Sequence, residues 1–294
     1  MIQRGSRTAR VAALAGLFVA GCGGTQVLAV ARPRLGVQSN EGPVGPVLLR
    51  VRPAAGLRLR TTSEASGDAT FLGREVHFDY VATEDREVLE RRADGTTVIS
   101  SRRTGGSMRL TLAGRPREET LEAEPSPSTS VMDERGRSID DGMFASPTGD
   151  AEGADMVRRL LDPVLDALTY PDHPLAIGER WQARGTEAIA EAEARGTLRY
   201  ELAQELVRVE GSGATAVAVL AFRGEVSGDG LAEANPLTGL LRFEGAYTVG
   251  LQDGLVRSMQ TRAEGSFSIG SPEAGDLGAM LEVPFRGTLH YRAE

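Results

Sequence analysis

The sequence predicts a mainly β protein, built as a large curved antiparallel sheet or half-barrel of about ten to twelve strands. One central helix is expected to pack on the apolar face of that sheet. Two observations support this fold class. From about residue 57 onward, apolar and polar residues alternate, as they do in strands that bury only one face. In residues 154–168, by contrast, apolar residues recur with the spacing of an amphipathic helix.

The N-terminus predicts export and a lipid anchor. Arg4, Arg7 and Arg10 precede an apolar run at residues 11–20, which is too short to span a bilayer but typical of a signal peptide. The run leads into Val-Ala-Gly-Cys at residues 19–22, which resembles the lipobox of bacterial lipoproteins. The resemblance implies that residues 1–21 are a signal peptide and that Cys22 carries diacylglycerol. An ordinary signal peptide with a cysteine near its cleavage site is the alternative.

Composition excludes several chemistries. Cys22 is the single cysteine, so a lipidated chain would have no thiol left for a disulfide, a metal or a nucleophile. All 33 basic residues are arginine, which excludes Schiff bases, Ser-Lys dyads and P-loops because each needs an amine. The net charge of −8 argues against nucleic acid as a partner.

Residues 22–56 are expected to be the lipidated cysteine and a tether. Glycine and proline interrupt this stretch and no periodicity survives in it, although residues 47–51 are apolar enough for an edge strand. A single β domain is then expected over residues 57–294.

The first strands of this domain are short alternating runs. Residues 76–82 and 108–112 alternate, although less regularly than the strands near the C-terminus. The run that begins at Leu198 changes phase before Val207, which predicts a β-bulge near Gln204. Residues 214–226 are apolar on both faces, as in a central strand.

The predicted helix covers residues 154–168 and follows a long polar loop at residues 125–150. Met156, Leu160, Val164 and Leu168 recur every four residues, so they form one apolar stripe. The simplest arrangement lays this stripe across the apolar face of the sheet and closes a core.

Three strands near the C-terminus alternate most regularly: residues 241–251, 255–269 and 281–291. Asp253-Gly254 is a hairpin signal between the first two. In each of these strands, and in the helix, the side chains on one face are apolar. We interpret these faces either as part of the core or as a binding surface for an apolar ligand. Their candidate residues are Phe243, Tyr247, Met259, Phe267, Phe285, Leu160 and Val164.

A turn motif follows the helix. Pro174, Gly178, Glu179 and Trp181 are spaced like the Pro…Val-Gly-Asp-x-Trp segment of uncharacterised envelope lipoproteins built of antiparallel strands, with Glu179 in place of the usual Asp. Residues 57–294 loosely resemble those families, which implies a β fold; the families are uncharacterised, so the resemblance brings no activity with it. In architecture alone the chain resembles the half-barrel of periplasmic lipoprotein carriers such as LolA, where an apolar concave face under helices holds acyl chains.

Catalytic signatures are not found in the sequence. It contains neither Gly-x-Ser-x-Gly nor His-Glu-x-x-His. His77 and His290 lie on the polar phases of their strands, and His173 is expected to hold the motif turn. The acidic residues between positions 133 and 155 match no EF-hand spacing, so no metal and no cofactor are predicted.

The sequence therefore favours a non-enzymatic envelope lipoprotein that acts as a scaffold or protein-binding module. The alternative is a carrier of an apolar ligand, such as a lipid or acyl chain, between sheet and helix. A hydrolase has no nucleophile and base to support it. The expected partners are the membrane, through the lipid on Cys22, and an envelope protein or lipid, but no nucleic acid. Gly23 after Cys22 favours outer-membrane delivery within the bacterial envelope.

Overall fold

The computed structural model describes residues 45–71, 74–112, 114–139, 168–190, 194–232, 235–270 and 280–294. The described residues form β strands and a single 3-10 turn, Gly213–Thr215. The strands are β1 (Arg58–Phe71), β2 (Arg74–Arg91), β3 (Thr97–Leu112), β4 (Arg115–Leu121), β5 (Ser128–Met132), β6 (Arg180–Ala190), β7 (Ala194–Glu210), β8 (Val217–Ala232), β9 (Asn235–Gly250), β10 (Val256–Gly270) and β11 (Met280–Ala293). The predicted mainly β fold is confirmed.

All the strands belong to one open antiparallel sheet of 11 strands, in the order β4-β3-β2-β1-β11-β10-β9-β8-β7-β6, with β5 also paired to β3. Strands that pair in the sheet are therefore consecutive in the chain, apart from β3 with β5 and the central pair. There β1 pairs with β11, for example through Ala65 and Leu289. This pairing joins two meanders into one sheet, so that the first strand, β1, and the last strand, β11, lie side by side at its centre.

The predicted central helix cannot be compared with the structure. Residues 154–167, including Leu160 and Val164, lie outside the described residues. Leu168, expected to end the helix, is in irregular backbone and is buried, with 4% of its surface exposed.

The end of the predicted tether belongs to the folded domain. Leu49 and Val51 are 2% and 1% exposed, and the Val51 amide donates a hydrogen bond to the Glu134 carbonyl at 2.8 Å. Val47 forms an isolated antiparallel bridge with Leu175, not a longer edge strand. Residues 45–56 therefore form a covering segment whose apolar side chains pack on a face of the sheet. Local periodicity does not reveal this packing, because it depends on residues that are distant in the chain.

The two faces of the sheet differ sharply. The inner face carries the buried side chains of neighbouring strands, including Leu202, Leu220, Tyr247, Met259 and Leu289. The outer face is polar and carries charges of alternating sign on adjacent strands. One such row runs through Asp68, Arg286, Glu264, Arg242 and Glu225.

These charges also specify the register of the sheet. Glu264 lies opposite Arg242, and Arg262 lies opposite Glu244. A slip of one residue would turn the apolar side chains outward. A slip of two would keep the faces but place Arg262 opposite Arg242, or Glu264 opposite Glu244, and like charges directly opposite each other are destabilising.

Several glycines on the inner face lie directly opposite aromatic residues. Gly245 pairs with Phe222, and Gly185 pairs with Tyr200. A Cβ at Gly245 would lie 2.1 Å from the Gln260 carbonyl oxygen and 3.0 Å from the Phe222 ring. The aromatic rings therefore cover the glycine backbone at positions where a second side chain would not fit. This arrangement is called aromatic rescue of strand glycines, and it allows the sheet to bend.

Candidate functional site

Three of the residues predicted for the apolar face lie together on β9 and β10. Phe243, Tyr247 and Met259 are 3%, 1% and 1% exposed and belong to one hydrophobic core. Phe285 is half-buried and stacks on Phe78, with ring centroids 5.9 Å apart. The side chain of Phe267, together with Leu160, Val164 and Cys22, lies outside the described residues.

Two covering segments, residues 45–56 and 168–178, fill the inner face at one end of the sheet. Leu49, Leu168, Tyr170 and Leu175 are each no more than 4% exposed and join the core cluster. Val47 and Leu175 exchange two backbone hydrogen bonds of 2.8 Å, which fasten the segments to each other. At this end the apolar face is therefore occupied by the chain itself.

Buried polar groups fix the second covering segment to the sheet. The Tyr170 hydroxyl donates to the Gly254 carbonyl at 3.0 Å, and the Tyr247 hydroxyl donates to Gln204 Oε1 at 2.6 Å. Gln204 Nε2 and Trp181 Nε1 both donate to the Thr169 carbonyl, at 3.3 and 2.8 Å. Burial raises the pKa of both tyrosines well above the ordinary value of 10.0, so the hydroxyls stay protonated donors even in alkaline solution that would ionise an exposed tyrosine.

The turn motif closes the same segment. Gly178 has a φ of +86°, which favours glycine, and its amide donates to the Leu206 carbonyl at 2.7 Å. The Glu179 carboxylate accepts a hydrogen bond from the Ala176 amide at 2.9 Å and contacts His173 Nε2 at 2.7 Å. The motif residues thus form a turn clamp, and the sequence assigned His173 to this turn from its position alone.

We expect the His173 imidazole to titrate above the ordinary histidine pKa of 6.5. The hydrogen bond to Glu179 raises the pKa of His173 most, and that to Asp172 raises it further. Because the folded-state pKa is raised, the contribution of this clamp to stability is fully present below the unfolded pKa and is lost as pH rises through the folded value. An NMR titration of the imidazole protons measures the midpoint.

The variant Glu179→Gln tests this expectation. It removes the carboxylate charge that mainly favours the protonated form of His173, and it keeps the length of the side chain at position 179. The His173 midpoint should then fall toward 6.5. An unchanged midpoint in Glu179→Gln would show that the His173–Glu179 contact does not persist in solution.

The remaining histidines lie on the outer face. His77 contacts Asp68 at 2.8 Å and Asp79 at 3.3 Å, and the Asp68 hydrogen bond is the largest cause that raises the pKa of His77. His290 is exposed. Among the described residues, no group of three or more His, Cys, Asp or Glu side chains could hold a metal ion.

Sequence reasoning missed a group of charges on the inner face. Glu84 and Arg86 form an ion pair at 3.1 Å, with side chains 15% and 36% exposed. Arg103, opposite Glu84 on β3, pairs with Glu124 at 3.8 Å, both side chains being 13–14% exposed. The Arg86 guanidinium also lies 5.7 Å from the centroid of the Tyr291 ring.

A signal for this group is present in the sequence. The apolar phase that runs through Phe78, Tyr80 and Ala82 continues to Glu84 and Arg86, where a half-buried strand would normally carry apolar residues. Removing charged groups from water is unfavourable unless well-placed partners offset the loss of hydration. Here the partners come from β2, β3 and the segment that follows β4, and these ion pairs stabilise the charges on the inner face.

Comparison with known proteins leaves the family open. No family model and no curated sequence matches the chain. Among solved structures, an outer membrane channel from Pseudomonas putida F1 is similar at 10% sequence identity and a TM-score of 0.33, over 85% of this chain and 100% of that chain. This is a distant structural match. In the part of the chain that the structure describes, no helix is long and apolar enough to cross a membrane.

Proposed function

We propose that this protein is a non-enzymatic lipoprotein of the bacterial envelope, anchored in the outer membrane through Cys22, that acts as a scaffold or protein-binding module. The observation that carries the proposal is the filled inner face. Leu49, Tyr170 and Leu175 occupy the place that an apolar ligand would take at that end of the sheet. A packed sheet with a charged outer face suits contact with another protein better than enclosure of a ligand.

A non-enzymatic role agrees with the chemistry of the candidate site. Its titratable groups are used in holding the chain: His173 and Glu179 pair with each other, and the hydroxyls of Tyr170 and Tyr247 donate to fixed acceptors. The fold itself therefore accounts for the positions of these groups.

The second candidate function is carriage of a lipid or acyl chain. It is favoured by the opposite end of the inner face, where Val76, Leu110 and Phe285 are only half-buried. An apolar ligand would lie against these side chains.

Native mass spectrometry of the mature protein, released from envelopes in mild detergent after cross-linking, tests the choice. A scaffold should show cross-links to specific proteins and no lipid beyond the covalent anchor. Non-covalent lipid at near-stoichiometric occupancy would contradict the scaffold and support the carrier.

The anchor makes a separate prediction. Cys22→Ala should abolish labelling by a fatty-acid analogue, because Cys22 is the single cysteine of the sequence and no other residue offers a thiol for the thioether. Gly23→Ala is the matched control and should keep the label. Label retained by Cys22→Ala would refute the lipobox interpretation.

A further inference from the structure

Strand β6 ends the sheet on one side, and no strand that the structure describes pairs with its outer edge. The Leu206 amide donates to the Glu179 carbonyl at 3.1 Å, which makes these two residues a hydrogen-bonded pair and continues the register of β6 and β7. Hydrogen-bonded and non-hydrogen-bonded pairs alternate along an antiparallel ladder. The amide and carbonyl of Ala183 therefore face β7, whereas those of Gln182 and Arg184 face away from it.

The two edges of the sheet differ in their protection. Natural sheets keep their edges from pairing with further strands by short edge strands, prolines and charged side chains. At the opposite edge, β4 has 7 residues, among them Pro116 and four charged side chains. Strand β6 has 11 residues and no proline. The β6 edge is therefore the one at which another strand can add its backbone hydrogen bonds.

The arginines of β6 do not prevent such an addition. Arg180 pairs with Glu205 at 2.7 Å, and Arg184 pairs with Glu201 at 2.8 Å. Both acids are on β7, so each positive charge at the edge is balanced by the strand behind it. Two copies can therefore approach at this edge although the whole chain carries a net charge of −8.

The sequence of β6 favours a second copy of the same strand as the partner. In a two-fold antiparallel pair, the residues whose backbone groups face outward must lie opposite one another. An axis at Arg184 would place this arginine opposite itself, and an axis at Gln182 would place Arg180 opposite Arg184. Like charges directly opposite each other are destabilising, so these two registers are disfavoured.

An axis at Ala183 avoids both contacts and supplies complementary neighbours. It places Arg184 of one copy opposite Gln182 of the other, and these two side chains already fit each other within one chain, where Arg184 Nη2 donates to Gln182 Oε1 at 3.0 Å. On the inner face it places Trp181 opposite Gly185, which has no side chain of its own. Ala183 lies opposite its own equivalent.

We propose that the protein forms a two-fold dimer in which β6 of one copy pairs antiparallel with β6 of a second copy, with the axis at Ala183. The two sheets then continue into one another. This self-association goes beyond the scaffold role and does not depend on the lipid anchor.

The first test measures mass. Native mass spectrometry of the full chain in mild detergent should show a dimer. Arg184→Pro should shift it to a monomer, because the substitution removes an outward-facing amide that the fold does not use, a position at which edge strands accept proline. Arg184→Gln is the matched control: it removes the charge, keeps the amide and should remain dimeric. Melting temperatures show whether the variants fold, and Gln182→Pro replaces Arg184→Pro if the latter does not.

A disulfide tests the position of the axis. In a full chain with Cys22→Ala, an introduced cysteine is the single thiol, and the result is independent of the anchor. Ala183→Cys should link two copies under mild oxidation, because directly opposite residues in a non-hydrogen-bonded pair have Cα atoms about 4.5 Å apart, within the range of a disulfide. Thr186→Cys should not, although Thr186 is more exposed, since its equivalents would lie about 20 Å apart along the strands.

Three results would overturn the proposal: a monomeric mass for the unchanged chain, a folded Arg184→Pro variant that remains dimeric, or Thr186→Cys linking as readily as Ala183→Cys. These measurements are separate from the fatty-acid label and the lipid occupancy that test the proposed function.

Discussion

Replacing Tyr170 with alanine should lower the free energy of unfolding by about 3–5 kcal/mol, as for large aromatic residues in a core. Tyr170 is 2% exposed, and its hydroxyl is the buried donor to the Gly254 carbonyl. The substitution removes a ring that packs between a covering segment and the sheet, and it leaves that carbonyl without its partner. Chemical denaturation followed by the fluorescence of Trp181 measures the change.

Tyr170→Phe separates the two contributions. It keeps the ring and removes the hydroxyl, so the cost should be about 1 kcal/mol. If Tyr170→Ala costs no more than Tyr170→Phe, the second covering segment is not packed on the sheet in solution, and the inner face is not filled at that end.

Phe243→Ala should also cost about 3–5 kcal/mol, since Phe243 is 3% exposed at the centre of the inner face. Its cross-strand partners are Gly224 on β8 and Ala263 on β10. Both are small, so neither can fill the space that the ring leaves. Urea denaturation at constant pH gives the difference in unfolding free energy.

Two comparisons sharpen this prediction. Phe285→Ala should cost less than Phe243→Ala, because Phe285 is only half-buried. Arg262→Ala, on the outer face of β10, should stay within about 0.5 kcal/mol of the unchanged protein. Equal costs for Phe243→Ala and Arg262→Ala would mean that the faces of β9 and β10 are assigned wrongly.

The strands near the C-terminus were the most predictable part of the fold. Residues 241–251 and 255–269 alternate over most of their length, and the structure places Phe243, Tyr247 and Met259 on the inner face. The Asp253-Gly254 hairpin lies between β9 and β10 as expected, with Gly254 at a φ of +70°. The bulge predicted near Gln204 lies between Leu206 and Arg208. Each of these features depends on neighbours in the chain, so a local pattern is sufficient to predict it.

The candidate site was less predictable. His173 and Trp181 were placed in the motif turn, but their partners Glu179 and Thr169 could be identified only once the turn was folded. Tyr170 was not predicted as a buried anchor, because its acceptor is the carbonyl of Gly254, which is far away in the chain.

What the sequence determined by itself is therefore the local character of this chain: strands with one apolar face, the hairpin at Asp253-Gly254, and the polar face of β9 and β10. Only the tertiary structure decided that β1 pairs with β11, that residues 45–56 cover the inner face, and that Glu84 lies opposite Arg103. The physical reason is the range of the interactions. Alternation reports which side of a strand is buried, whereas the choice of partner strand depends on shape and charge contributed by residues that are distant in sequence.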